Sequence, residues 1–132
     1  MSMNTPPVIA QWHDIVRTRD EQALRALLAE DVVLESPVVH TPQRGQAVTL
    51  QYLGAALRVL NNAHFRYANE WYAAHSAVLE FETDCEGIAI NGVDLITWNE
   101  AGRIVHFKVM VRPLKAIQKL HELMGRMLQQ MH

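Results

Sequence analysis

The residue whose surroundings most invite chemistry is Asp94. It stands in an apolar run with Ile96 and Trp98 on its own face of an expected strand. A carboxylate there is costly unless it has a partner or a purpose. Two uses fit such a group: exchanging a proton with a bound molecule, or holding the fold through a hydrogen bond to a buried tryptophan N–H, Trp12 or Trp98. Other chemistries find less support. The histidines (His13, His40, His64, His75, His106, His121 and His132) include no pair at ligand spacing. His121-Glu122 begins like a zinc-protease helix, but Gly125 stands where the second ligand is needed. Cys85 lies between Asp84 and Glu86, which raise a thiol pKa and do not activate it. None of Ser2, Ser36 and Ser76 lies in a G-x-S-x-G turn, and no glycines form a phosphate-binding loop. Neither a metal nor a cofactor is expected.

Asp94 belongs to a hairpin over residues 91–113. Asn99-Glu100-Ala101-Gly102 is its turn, with Gly102 free to take the left-handed conformation. After the turn Val105, Phe107, Val109 and Val111 point one way, and Ile104, His106, Lys108, Met110 and Arg112 the other. Ahead of the hairpin, residues 77–84 alternate, with Leu79, Phe81 and Thr83 on one face and Val78, Glu80, Glu82 and Asp84 on the other. With the aromatic run 64–73 this makes a four-strand antiparallel meander.

The chain opens with Val8, Ile9, Trp12, Ile15 and Val16 at helical spacing behind Pro6-Pro7. Thr18 with Glu21 reads as a capping box, Asp20 as a rival cap, for a second helix carrying Leu24, Leu27 and Leu28. Residues 31–36 read as a strand, 37–45 as a loop and 46–60 as a third helix bearing Leu50, Leu53, Leu57 and Leu60. A last helix over 113–131 repeats Leu114, Ile117, Leu120, Met124, Met127 and Met131 along one stripe, which must be buried. The sum is one α+β domain over residues 1–132, with residues 1–7 a disordered or extended leader.

Composition narrows the function. With 49% hydrophobic and 20% charged residues the chain reads as an ordinary globular domain. A net charge of -2 gives no reason to expect nucleic acid. No apolar run suits a membrane span, the first residues lack a signal-peptide pattern, and a single cysteine suits the cytoplasm.

The helical start, the E-D-V-V-L-E-S-P segment with Gly45 following, and the G-V-D-L-I-T-W-N-E-A-G-R-I-V-H-F-K-V-M-V-R-P ending resemble the SnoaL-like domain of the nuclear transport factor 2-like superfamily. That superfamily includes ketosteroid isomerases and polyketide cyclases. The resemblance implies a cone, a cystatin-like α+β roll. A strongly bent antiparallel sheet wraps the N-terminal helices around an apolar pocket, here with an extra C-terminal helix. It implies a homodimer through the outer sheet face. It also implies a pocket wall containing Trp12, Leu34, Ser36, Leu53, Leu79, Phe81, Phe107 and Val109.

Asp94 falls where the steroid isomerase keeps a protonated carboxyl in its oxyanion hole. Ser36 falls at its general base and Trp12 at its oxyanion-hole tyrosine, so one of three catalytic positions matches. Glu35 cannot replace the base, because a one-residue shift along a strand sends its side chain to the opposite face. Steroid isomerase activity is therefore not expected. A cyclase-type reaction needs one pocket acid for a substrate already prone to enolise, and facing Phe107, Val109, Leu79 and Phe81 would raise the pKa of Asp94. Three readings stay open: a cofactor-free cyclase or isomerase, a non-catalytic domain for an apolar small molecule, and a dimeric interaction module with a filled cone. On the outer face, Glu80, Glu82 and Asp84 form an acidic row and His106, Lys108 and Arg112 a basic one, with Val93, Leu95 and Thr97 between. Such rows can oppose each other in an isologous dimer. The last helix either caps the cone or joins that interface.

Overall fold

In the computed structural model, which describes residues 4–131, the elements alternate between short helices and a long curved sheet. Helix α1 (Pro7–Thr18) has proline in its first turn, where a missing N–H costs nothing, and buries Val8, Ile9, Trp12, Ile15 and Val16. Arg19 ends it in the left-handed region, φ 60°, donating its N–H to the Ile15 carbonyl at 2.7 Å. Helix α2 (Glu21–Leu27) is capped by Asp20, whose Oδ1 accepts the N–H groups of Gln22 and Ala23 at 3.0 and 3.1 Å. Thr18 turns back to the Asp14 carbonyl and caps nothing. Leu28 leaves the helical stripe and begins strand β1 (Leu28–Glu35), earlier than the alternation suggested. The segment expected as loop includes a two-residue strand, β2 (Gln43–Arg44), paired with Val33 and Leu34. Helix α3 (Gln46–Leu60) follows.

Strands β3 (Arg66–Tyr72), β4 (Ser76–Cys85), β5 (Ile88–Trp98) and β6 (Ile104–Arg112) form the antiparallel meander. The sheet order is β2-β1-β6-β5-β4-β3, and β1 runs parallel to β6. The sheet is thus mixed, not wholly antiparallel. The β5–β6 turn closes with the Gly102 N–H on the Asn99 carbonyl, Gly102 at φ 76°. A bulge follows it. Thr97 pairs with His106 but Trp98 with Ile104, so Val105 is the extra residue. Ile104 consequently turns inward and is fully buried, although simple alternation put it outside; Val105 is only half-buried.

The concave face holds the core. Phe81 lies over Gly92, where a Cβ would sit 2.5 Å from the Phe81 ring and 2.7 Å from the Met110 carbonyl oxygen. Only glycine lets that ring lie flat on the sheet. Helix α4 (Leu114–Gln130) crosses the open side, burying Ala116 and Leu120 against Leu60, Phe81 and Ile90. Leu114, expected on its buried stripe, is instead 69% exposed at the first turn. Lys119 ties the helix to the β4–β5 turn through Glu86 at 3.1 Å. No helix among the described residues is long and apolar enough to cross a membrane.

Candidate functional site

Asp94 projects from the middle of β5 into the concave face, between Leu79 of β4 and Val109 of β6 in the register. It is 6% exposed. The only hydrogen bond it receives from the described residues comes from Tyr67 of β3, whose hydroxyl donates to Oδ2 at 2.7 Å. The Tyr67 oxygen in turn accepts the indole N–H of Trp12 from α1 at 2.8 Å. The direct partner is therefore a tyrosine, not either tryptophan named from the sequence. Trp12 acts one step removed, and Trp98 is buried elsewhere on the same face.

The chain Trp12 N–H to Tyr67 O–H to Asp94 fixes the direction of every proton in it. Tyr67 has one proton and gives it to Oδ2, so Oδ1 of Asp94 is left without a donor among the described residues. Burial pushes the Asp94 carboxyl up to about 7, and the Tyr67 bond opposes that rise only in part. Tyr67 itself is driven well above its usual value, first by burial and then by the neighbouring carboxylate. Its phenol stays protonated throughout. At neutrality the site therefore holds one group poised to give or take a proton.

Asp94 borders a cavity of about 70 Å³. Seven of the expected wall residues line it: Trp12, Leu34, Ser36, Leu53, Phe81, Phe107 and Val109. Leu79 does not; it is fully buried in the core beside the cavity. Wall residues that the sequence reading did not place there include Tyr67, Phe65, and Leu120 and Met124 of α4. The rings brace one another: Trp12 meets Phe107 edge-on at 5.0 Å, and Phe65 contacts both Tyr67 and Phe81. Ser36 accepts the Val38 N–H at 3.1 Å, leaving its own O–H free to donate. No Lys, Arg or His lines this cavity among the described residues.

Tyr52 and Asn61 also line the cavity; the charged pairs lie outside it. His13 and Glu70 pair at 2.9 Å on the far side of Tyr67, where Tyr72 also donates to Glu70 at 2.6 Å. His106 bonds Glu35 at 2.6 Å on the outer face, and Lys108 lies 3.8 Å from the same carboxylate. Cys85 is buried, its thiol raised by burial and by Asp84. Among the described residues, no three His, Cys, Asp or Glu side chains converge as a metal ion requires.

Comparison with known proteins fits this geometry. The SnoaL-like domain model matches residues 9–107. A steroid delta-isomerase from Pseudomonas aeruginosa is similar at 36% identity over 98% of this chain and 97% of its own, with a TM-score of 0.89. A protein with a cystatin-like fold from Silicibacter pomeroyi is 34% identical, covering 91% of this chain and 84% of its own, at a TM-score of 0.84. A polyketide cyclase-like protein from Sinorhizobium meliloti, 18% identical with coverages of 83% and 99%, has a TM-score of 0.66, a likeness of fold alone. No curated protein matches the chain.

Proposed function

The chain belongs to the SnoaL-like domain family, and from that premise we propose that it is a cofactor-free enzyme of cyclase or isomerase type, with Asp94 as its acid and base. One observation carries the reading: a buried carboxyl near neutrality on the wall of an apolar cavity, held at Oδ2 by Tyr67, with no donor among the described residues on Oδ1. In the ionised form that oxygen takes a proton from carbon beside a carbonyl. The electron pair moves onto the carbonyl oxygen, toward which the Ser36 O–H can donate, and the protonated Asp94 returns the proton to another carbon. Nothing is oxidised or reduced.

A two-acid steroid isomerase is a poorer fit. Asp94 is the one carboxyl bordering the cavity among the described residues, and Ser36 occupies the position where the resemblance calls for a base. The space is also small, since about 60 Å³ of liquid water is only two molecules. The test uses but-3-enal, whose conversion to the conjugated but-2-enal is read by ultraviolet absorbance. We expect the wild type to accelerate it and Asp94→Asn to lose at least about 100-fold. A folded Asp94→Asn protein that keeps the full rate ends the acid/base role.

The second reading, a non-catalytic domain that binds an apolar small molecule, is favoured by a cavity wall that is almost wholly apolar. Both readings share a homodimer through the outer sheet face, where Trp71 and Met110 are each 56% exposed. Glu80, Glu82 and His106 already have partners within the chain, so apolar contact and not matched charge rows would drive the pairing. A cytoplasmic location accords with the lone buried cysteine.

A further inference from the structure

The cavity around Asp94 has an unbalanced charge pattern. Its wall supplies one ionisable carboxyl and a belt of aromatic rings, Trp12, Tyr52, Phe65, Tyr67, Phe81 and Phe107. It supplies no positive partner among the described residues. Carboxylates taken out of water are ordinarily matched by a cation or by several donors. Asp94 lines the cavity and has one donor among the described residues, Tyr67 on Oδ2, while Oδ1 receives no hydrogen bond from them. The titratable groups bordering that space are Tyr67 from β3 and Tyr52 from α3. Helices α1 and α4 and strands β1, β4 and β6 contribute no charged side chain to the wall. Glu80 and Lys108, on the flanking strands, point to the opposite face of the sheet.

We propose that the ionised site binds a small alkylammonium cation of about four heavy atoms, its N–H on Asp94 Oδ1 and its alkyl groups against the rings. The chemistry is that of an aromatic cage with a buried counter-ion. Ring faces attract a cation most strongly where water is excluded, and the carboxylate supplies the full opposite charge. Size follows from the cavity of about 70 Å³, which suits a branched three-carbon amine. The proposal rests on the cavity being the ligand site, but not on turnover there. It also gives the raised carboxyl a consequence. Below neutrality the site presents a proton, and above it a charge, so cation affinity climbs as Asp94 ionises.

Isopropylammonium and 2-propanol test this, because they match in shape and differ in charge. Each is titrated calorimetrically into the wild type at pH 6, 7 and 8. We expect isopropylammonium to bind about tenfold more tightly at pH 8 than at pH 6, with about half a proton released per cation bound at pH 7. The 2-propanol affinity should not rise with pH. Asp94→Asn should lose the cation and keep the alcohol. If the alcohol binds and the cation does not, or if Asp94→Asn keeps the cation, the charge argument is overturned while the cavity reading survives. If neither binds the folded protein, the cavity reading and this proposal fall together. Should Asp94→Asn not fold, the wild-type pH profile with its alcohol control decides alone.

Discussion

Asp94 and Glu80 stand on adjacent strands, one register step apart, on opposite faces of the same sheet. Their carboxyls have been driven in opposite directions. Burial raises Asp94 to about 7, and a single tyrosine bond cannot hold it down. Glu80 is lowered, because Asn69 and Asn91 each donate to it, at 2.9 and 3.0 Å, which outweighs its partial burial. Glu35 repeats the outer pattern, lowered first by its bond from His106. One sheet's thickness thus separates a carboxyl that titrates near neutrality from carboxylates that stay ionised. Chemical type did not decide this; the number of donors and access to water did.

The largest expected effect comes from removing the inner charge. A rise from 3.8 to about 7 means that the ionised folded protein carries a penalty of about 4 kcal/mol at Asp94. The sign follows from proton counting. Between the unfolded and folded pKa values the folded state holds a proton that the unfolded state has lost, so stability falls as pH rises through that window. Its contribution is complete near pH 4 and gone above 7. Asp94→Asn, which keeps an acceptor for Tyr67, should therefore match the wild type near pH 4 and exceed it by up to about 4 kcal/mol at pH 8. Urea unfolding of both proteins at pH 4, 6 and 8 reads the difference directly. A pH-independent difference would mean that Asp94 is solvated and the two faces are alike. A gain in stability together with a loss of activity would be the trade expected of a functional group kept in a costly place.

The outer face offers a second, smaller effect, on association. If it is the dimer surface, sedimentation equilibrium should give twice the 15.0 kDa of the chain. Trp71→Asp puts a charge where an apolar contact is needed and should shift the mass toward the monomer, with the folding midpoint at high dilution unchanged. A monomeric wild type would remove the apolar strip's purpose and leave an ordinary solvated sheet face.

Much of this was legible in the sequence, for a physical reason. Alternation with period two assigns faces, so Asp94 could be picked out from its strand alone and placed with Ile96 and Trp98. The 46–60 helix was set by its leucine spacing and the asparagines that follow it. What alternation does not encode is pairing across the fold. Tyr67 went unassigned because Ala68 is the extra residue of a bulge in β3, which resets the faces of that strand midway. The bulge at Val105 hid the inward turn of Ile104 in the same way. The parallel pairing of β1 with β6 joins residues about seventy apart, and no local pattern announces it. The wall contributed by α4 was half visible: its stripe demanded burial, but which surface received it depended on where the helix crosses.

The smallest expected effect is also the cleanest check on the comparison, because its sign is reversed. Glu80 has a folded pKa below its unfolded value, so its contribution is present above the unfolded pKa, about 4.3, and is lost as pH falls through the folded one. Glu80→Gln should cost a little above the unfolded pKa and nothing once the folded carboxyl is protonated. The group is only half-buried on the outer face, so solvent and salt screen most of the interaction, and the change should be close to the error of a urea titration. Raising the salt concentration should shrink it further, whereas the buried Asp94 effect should hardly respond. If Glu80→Gln instead gains stability with rising pH, as Asp94→Asn is expected to, then the two carboxyls share an environment and the inner one is no longer singled out for chemistry.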